Sequence, residues 1–170
     1  MKKIYTAIIL LALINTFPAM GQVSSRQAGF RAGYRWGLFY QVTGETGNAE
    51  TGFAALLSFQ NSGVQITGLK IIYLTSVPDI SPNLFISWGY GAHAGFIYTN
   101  HIGFFGEDYY FPHDRFCPLI GVDGWCSAEY RITDIPLVIS LNIKPYVELT
   151  VPSFFKIVPF DVGISLSYSF

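Results

Sequence analysis

Between Ala28 and Gln41 every second residue is apolar or aromatic: Ala28, Phe30, Ala32, Tyr34, Trp36, Leu38 and Tyr40. The positions between them are Gly29, Arg31, Gly33, Arg35, Gly37, Phe39 and Gln41. A period of two held this long specifies β-structure with one greasy side and one side of different chemistry. The pattern recurs. In Thr51 to Gln60 the apolar set is Phe53, Ala55, Leu57 and Phe59, and Asn61-Ser62-Gly63 supplies a tight turn into Val64 to Thr75. There Gln65 and Thr67 fall out of phase with Lys70, so a β-bulge at Gly68 is expected to restore the register. Asn83 to Ile97 and Leu119 to Ile132 alternate cleanly, as does Leu137 to Thr150 apart from an interruption at Pro145. The last run sets Val162, Ile164, Leu166, Tyr168 and Phe170 against Asp161, Gly163, Ser165, Ser167 and Ser169. These are seven strong strand candidates, and neither a repeat nor a composition break divides them. A single all-β domain is expected.

Composition then decides which side meets water. The chain is 51% hydrophobic but only 12% charged, about half the roughly 25% that a soluble domain carries. The formal charge of −1 gives no basic surplus for nucleic acid, and the hydrophobicity excludes disorder. A water-facing sheet would fill its polar side with Lys, Glu and Thr. Here that side is mostly Gly and Ser with isolated charges, a composition suited to the crowded interior of a narrow barrel. Arg31, Arg35, Lys70, Arg131 and Lys144 can pair inside with Asp123, Glu129, Glu148 and Asp161, and His93 joins the same hydrogen-bond network. Five cations against four anions make a nearly neutral plug, because a barrel of eight strands has room only for side chains. Trp36, Tyr40, Trp88, Tyr98, Tyr130, Tyr168 and Phe170 lie on the apolar side near strand ends, where a membrane barrel places its aromatic girdles.

The first residues have a separate purpose. Lys2 and Lys3 precede the apolar stretch Ile4 to Ile14, which is too short to cross a bilayer. With Ala19 and Gly21 at the positions a signal peptidase reads, residues 1–21 are expected to be a signal peptide cleaved before Gln22, leaving 22–170 as the barrel domain. No Cys follows the apolar run, so no lipid anchor is expected. Cys117 and Cys126 are nine residues apart on one extended run, about 30 Å at 3.3 Å per residue. That is far beyond disulfide reach, so both are expected free, with Cys126 on the greasy side.

The signal peptide, the segments GFRAGYRWGLFY, LSFQNSGVQITGL, WGYGAHAGF and IGVDGW, and the ending ISLSYSF together resemble the small outer-membrane β-barrels of Gram-negative bacteria. The resemblance is to the OmpA/OmpX transmembrane type as found in Bacteroidetes, and it covers residues 27–170. It implies an eight-stranded antiparallel up-and-down transmembrane barrel in the outer membrane, monomeric and in contact with lipid and lipopolysaccharide. It also implies that Tyr168 and Phe170 form the C-terminal signal read by the barrel-assembly machinery. Bacterial barrels have an even number of strands, so an eighth is expected either within 99–116 or by a split around Pro152 to Pro159.

Enzymes occur among such barrels, and a lipid A deacylase would show a His-x-Ser pair, since a serine nucleophile needs an imidazole within reach. His93, His101 and His113 stand in H-A-G, H-I-G and H-D-R. None has that spacing. His113 with Asp114, Glu107 and Asp108 reads as a solvated acidic loop. No catalytic residue, metal set or cofactor is therefore expected, and a structural or surface-interaction role leads, carried by the external segments 99–117 and 150–159. A lipid A-modifying enzyme, a small diffusion channel and a soluble lipocalin-like binding barrel are the rival readings.

Overall fold

The computed structural model describes residues 23–46, 49–60, 62–74, 81–104, 107–151 and 154–170. The expected signal peptide lies outside them, as do the side chains of His101, Glu107 and Asp108. The described chain is all β: β1 (Val23–Gly33), β2 (Trp36–Thr46), β3 (Ala49–Gln60), β4 (Gly63–Tyr73), β5 (Leu84–Phe104), β6 (Glu107–Arg131), β7 (Leu137–Ile143), β8 (Tyr146–Thr150), β9 (Phe154–Val158) and β10 (Val162–Ser169). β1 to β6 pair antiparallel in sequence order, β7 and β8 both pair with β6, β9 pairs with β8 and β10 with β7, and β1 pairs with β10, from Gln27 with Ser169 to Gly33 with Gly163. That last pairing closes the sheet into an up-and-down barrel.

Ten segments make eight barrel strands. β7 and β8 both pair with β6 and form one strand interrupted at Lys144-Pro145, where the proline cannot donate to the ladder. β9 and β10 form the last strand. Ile143 pairs with Val162 and Tyr146 with Val158, so two residues of one strand oppose three of the other at 159–161. This is a β-bulge. It changes which parity faces inward, from Lys156 and Val158 to Asp161, Gly163 and Ser165.

Strand stagger sets the width of the barrel. Hydrogen-bonded partners lead from Ala28 through Tyr40, Ala55, Gly68, Ala92, Val122 and Val147 to Ile157, whereas the other neighbour of Ala28 is Tyr168. Discounting the bulge, the circuit is displaced by about ten residues, which at 3.3 Å per residue and 4.8 Å between strands tilts them by roughly 40°. The corresponding backbone radius is about 8 Å, a lumen that side chains fill.

The eighth strand lies in neither of the two places expected. The run from Ala28 to Gln41 is two strands, β1 and β2, joined by a turn around Tyr34. Phe30 pairs with Leu38 and Arg31 with Gly37, so even positions meet even and the alternation passes through the turn unbroken. The 99–116 region instead prolongs β5 and β6 into a ribbon that rises past the rim, and 154–158 prolongs the last strand.

The inward and outward faces are as the alternation requires. Phe30, Trp88 and Leu166 are 43%, 45% and 52% exposed, while Arg31 and Ser165 are 1% and 2% exposed. A second correction concerns β4. Its register against both β3 and β5 is continuous, with no bulge at Gly68. Gln65, Thr67, Leu69, Ile71 and Tyr73 therefore all face inward and Lys70 faces out. The lumen is accordingly less polar than expected. Ala54, Leu69, Ile71 and Tyr73 pack with Phe85 and Trp125 into an apolar cluster on one side of it.

Candidate functional site: the charge network in the lumen

Five strands deliver charges to one level of the barrel. Lys144 stands at the interruption between β7 and β8, and its Nζ donates to Asp123 Oδ1 of β6 at 2.7 Å. The other oxygen of Asp123 lies 2.7 Å from His93 Nδ1 on β5. The far ring nitrogen, Nε2, is 3.4 Å from Glu148 Oε2 on β8. Glu148 in turn accepts from Arg35 Nη2 at 3.2 Å. Lys144, Asp123, His93, Glu148 and Arg35 thus form one relay across the lumen, and all five are buried.

A second group adjoins it. Arg31 Nη2 donates to Asp161 Oδ1 at 3.0 Å and to its carbonyl at 2.9 Å, Nε donates to Asn142 Oδ1 at 2.6 Å, and Nη1 donates to the carbonyl of Arg35 at 3.3 Å. Asn142 passes the contact on to Ser165 Oγ at 2.7 Å. The Tyr146 ring lies among these cations, 4.9 Å from the Arg35 guanidinium and 4.6 Å from Lys144 Nζ, with the His93 ring edge-on at 5.6 Å. Three cations, Arg31, Arg35 and Lys144, face three carboxylates, Asp123, Glu148 and Asp161. Burying charge is tolerable only with such pairing.

Glu129 and Arg131 belong elsewhere. Glu129 is buried nearer the end that carries the chain termini, where Tyr73 Oη donates to both its oxygens, at 3.1 and 2.9 Å, and Gln41 Nε2 donates to Tyr73 Oη. Arg131 is half-buried at that rim, 3.5 Å from Glu50, its guanidinium 4.0 Å from the Phe85 ring centre. Of the expected network, then, Arg31, Arg35, His93, Asp123, Lys144 and Glu148 come together with Asp161. Glu129 and Arg131 form a separate terminal group, and Lys70 is outside altogether. Asn142 and Tyr146 were recoverable from the inward parity of their run. Tyr73 was hidden by the expected bulge.

Chemically this arrangement fills the lumen at its level with paired charges. Toward Glu129, a partly open space among Gln27, Gln41, Leu56, Leu69, Trp125 and Glu129 measures about 10 Å³, one water molecule's worth. Both His93 nitrogens face carboxylates rather than a hydroxyl nucleophile. Among the described residues no group of three or more His, Cys, Asp or Glu could hold a metal ion. Cys117 and Cys126 are both free, Cys126 on the outer face. Tyr168 and Phe170 stack at 6.3 Å, and Phe170 exchanges backbone hydrogen bonds with Arg26, so the terminal strand is the one that seals the barrel against β1. Comparison with protein-family models, with curated proteins and with solved structures gave no match.

Proposed function

We propose that this chain is a small integral outer-membrane β-barrel of the OmpA/OmpX type, exported by its N-terminal signal and acting structurally or through its external segments rather than as an enzyme or an open pore. The observation that carries the reading is the inverted polarity of the barrel, with Phe30, Trp88 and Leu166 outside and Arg31, His93, Asp123 and Lys144 sealed within. A continuous apolar exterior far exceeds the few hundred Å² that soluble proteins leave open, whereas hydrocarbon accepts it and requires every backbone group to be paired, as a closed barrel ensures. Outward aromatics support the same reading: Tyr130, Tyr168 and Phe170 stand toward the end with the termini, and Tyr34, Trp36 and Phe160 toward the other. Both termini then face the periplasm, and the β5–β6 ribbon projects outward, where Tyr98, Tyr110 and Phe116 can meet lipopolysaccharide or another protein. Tyr168 and Phe170 serve the assembly machinery, and the barrel works as a monomer with no cofactor.

Fractionation followed by electrophoresis with and without boiling tests this. The protein is expected in the outer-membrane fraction, with an unheated form that migrates apart from the boiled one. Recovery in the soluble fraction without detergent would reverse the assignment. Lipid A from a deletion strain is expected to keep its acyl pattern.

A further inference from the structure

Lys70 is the residue that the barrel does not explain. Among the described residues it is the charged side chain on the outer wall with apolar outward neighbours on both sides along its strand: Val64 and Ile66 before it, Ile72 and Leu74 after. Its cross-strand partners on the same face are Phe53 and Tyr90. No carboxylate among the described residues lies within ion-pair distance of it. A lysine on the lipid face is costly in a depth-dependent way, so its position calls for a counter-charge or an escape route.

We propose that Lys70 holds the phosphate of a phospholipid from the leaflet next to the end that carries the chain termini. The inference rests on the lipid-facing reading of the wall and names a ligand for one place on it. Leu74 marks that end of the strand, four residues on, which is about 10 Å along the barrel axis at the strand tilt. The flexible stem lets the ammonium lean toward the headgroups, and a phosphate meets it from the other side. On the side of Lys70 away from that end, Gly68 stands in register with Ala55 and Ala92. A Cβ at Gly68 would meet nothing within 4 Å. Beyond this row of small outward residues stand Leu57 and Ile66, the next outward pair of β3 and β4. A lipid with its phosphate on Lys70 has its acyl chains pointing across that row toward mid-wall.

The test is native mass spectrometry of the protein released from vesicles of mixed phosphatidylcholine and phosphatidylglycerol, comparing wild type, Lys70→Arg and Lys70→Met. Wild type and Lys70→Arg are expected to retain one phospholipid per barrel, and Lys70→Met to lose at least five-fold of that occupancy while keeping the folded, heat-modifiable form. Equal retention by all three inserted proteins would overturn the lipid contact and leave the membrane reading standing. Failure of wild type to insert into the vesicles would overturn both.

Discussion

Lys144 and Asp123 are fully buried and joined at 2.7 Å, so at the scale of single residues their pairing rather than their presence sustains the fold. Removing one member leaves an uncompensated charge in the lumen, which costs about 3–5 kcal/mol, whereas replacing both with apolar residues of similar volume is close to neutral. Asp123→Leu is therefore expected to lower unfolding stability in urea by about that amount. The double variant Asp123→Leu with Lys144→Met is expected to recover part of the loss, since His93 Nδ1 stays without its partner, a coupling that a double-mutant cycle measures. Additive losses would mean that the two side chains act independently. Glycines offer a second contrast. A Cβ on Gly91 would strike the carbonyl of Gly68, while one on Gly68 would touch nothing. Gly91→Ala is expected to destabilise by about 1–3 kcal/mol and Gly68→Ala by less than about 0.5 kcal/mol, read from the same unfolding curves.

At the scale of elements, the wall and the ribbon separate. β1 to β4 are 11 or 12 residues long, but β5 and β6 run to 21 and 25. Their outward rows stay apolar through Tyr98 and Phe116 and turn polar at Asn100 and Asp114. Beyond Thr99 and Arg115 the two strands pair only with each other, so shortening the ribbon past that point is expected to leave the barrel's unfolding free energy within about 1 kcal/mol of wild type. A larger loss would show that the ribbon braces the wall. Most of this architecture was legible as period-two alternation, because inside and outside of a narrow barrel differ in side-chain chemistry at every step. The illegible parts have specific causes. A turn that pairs even with even conceals itself, which is how β1 and β2 read as one strand. At Gly68 a charged residue out of phase suggested a bulge, although Lys70 simply faces outward. The bulge that switches the inward parity of the last strand, at 159–161, falls where prolines and aromatics blur the alternation. The charges of the lumen were nameable from parity, but their partners depend on strand stagger, which no single run encodes.

At the scale of the whole molecule, one polarity governs everything: greasy residues outside and ion pairs inside a narrow lumen. In planar bilayers the protein is expected to show no stable channel. Whether the outer wall faces hydrocarbon is measured by nuclear magnetic resonance of the intact barrel in phospholipid nanodiscs, recording contacts between lipid methylene protons and the amides of Leu38, Leu57, Ile164 and Leu166. Those amides are expected to show lipid contacts and to resist a water-soluble relaxation agent. If that agent broadens them while the lipid contacts are missing, the wall faces water and the protein is not an integral membrane barrel.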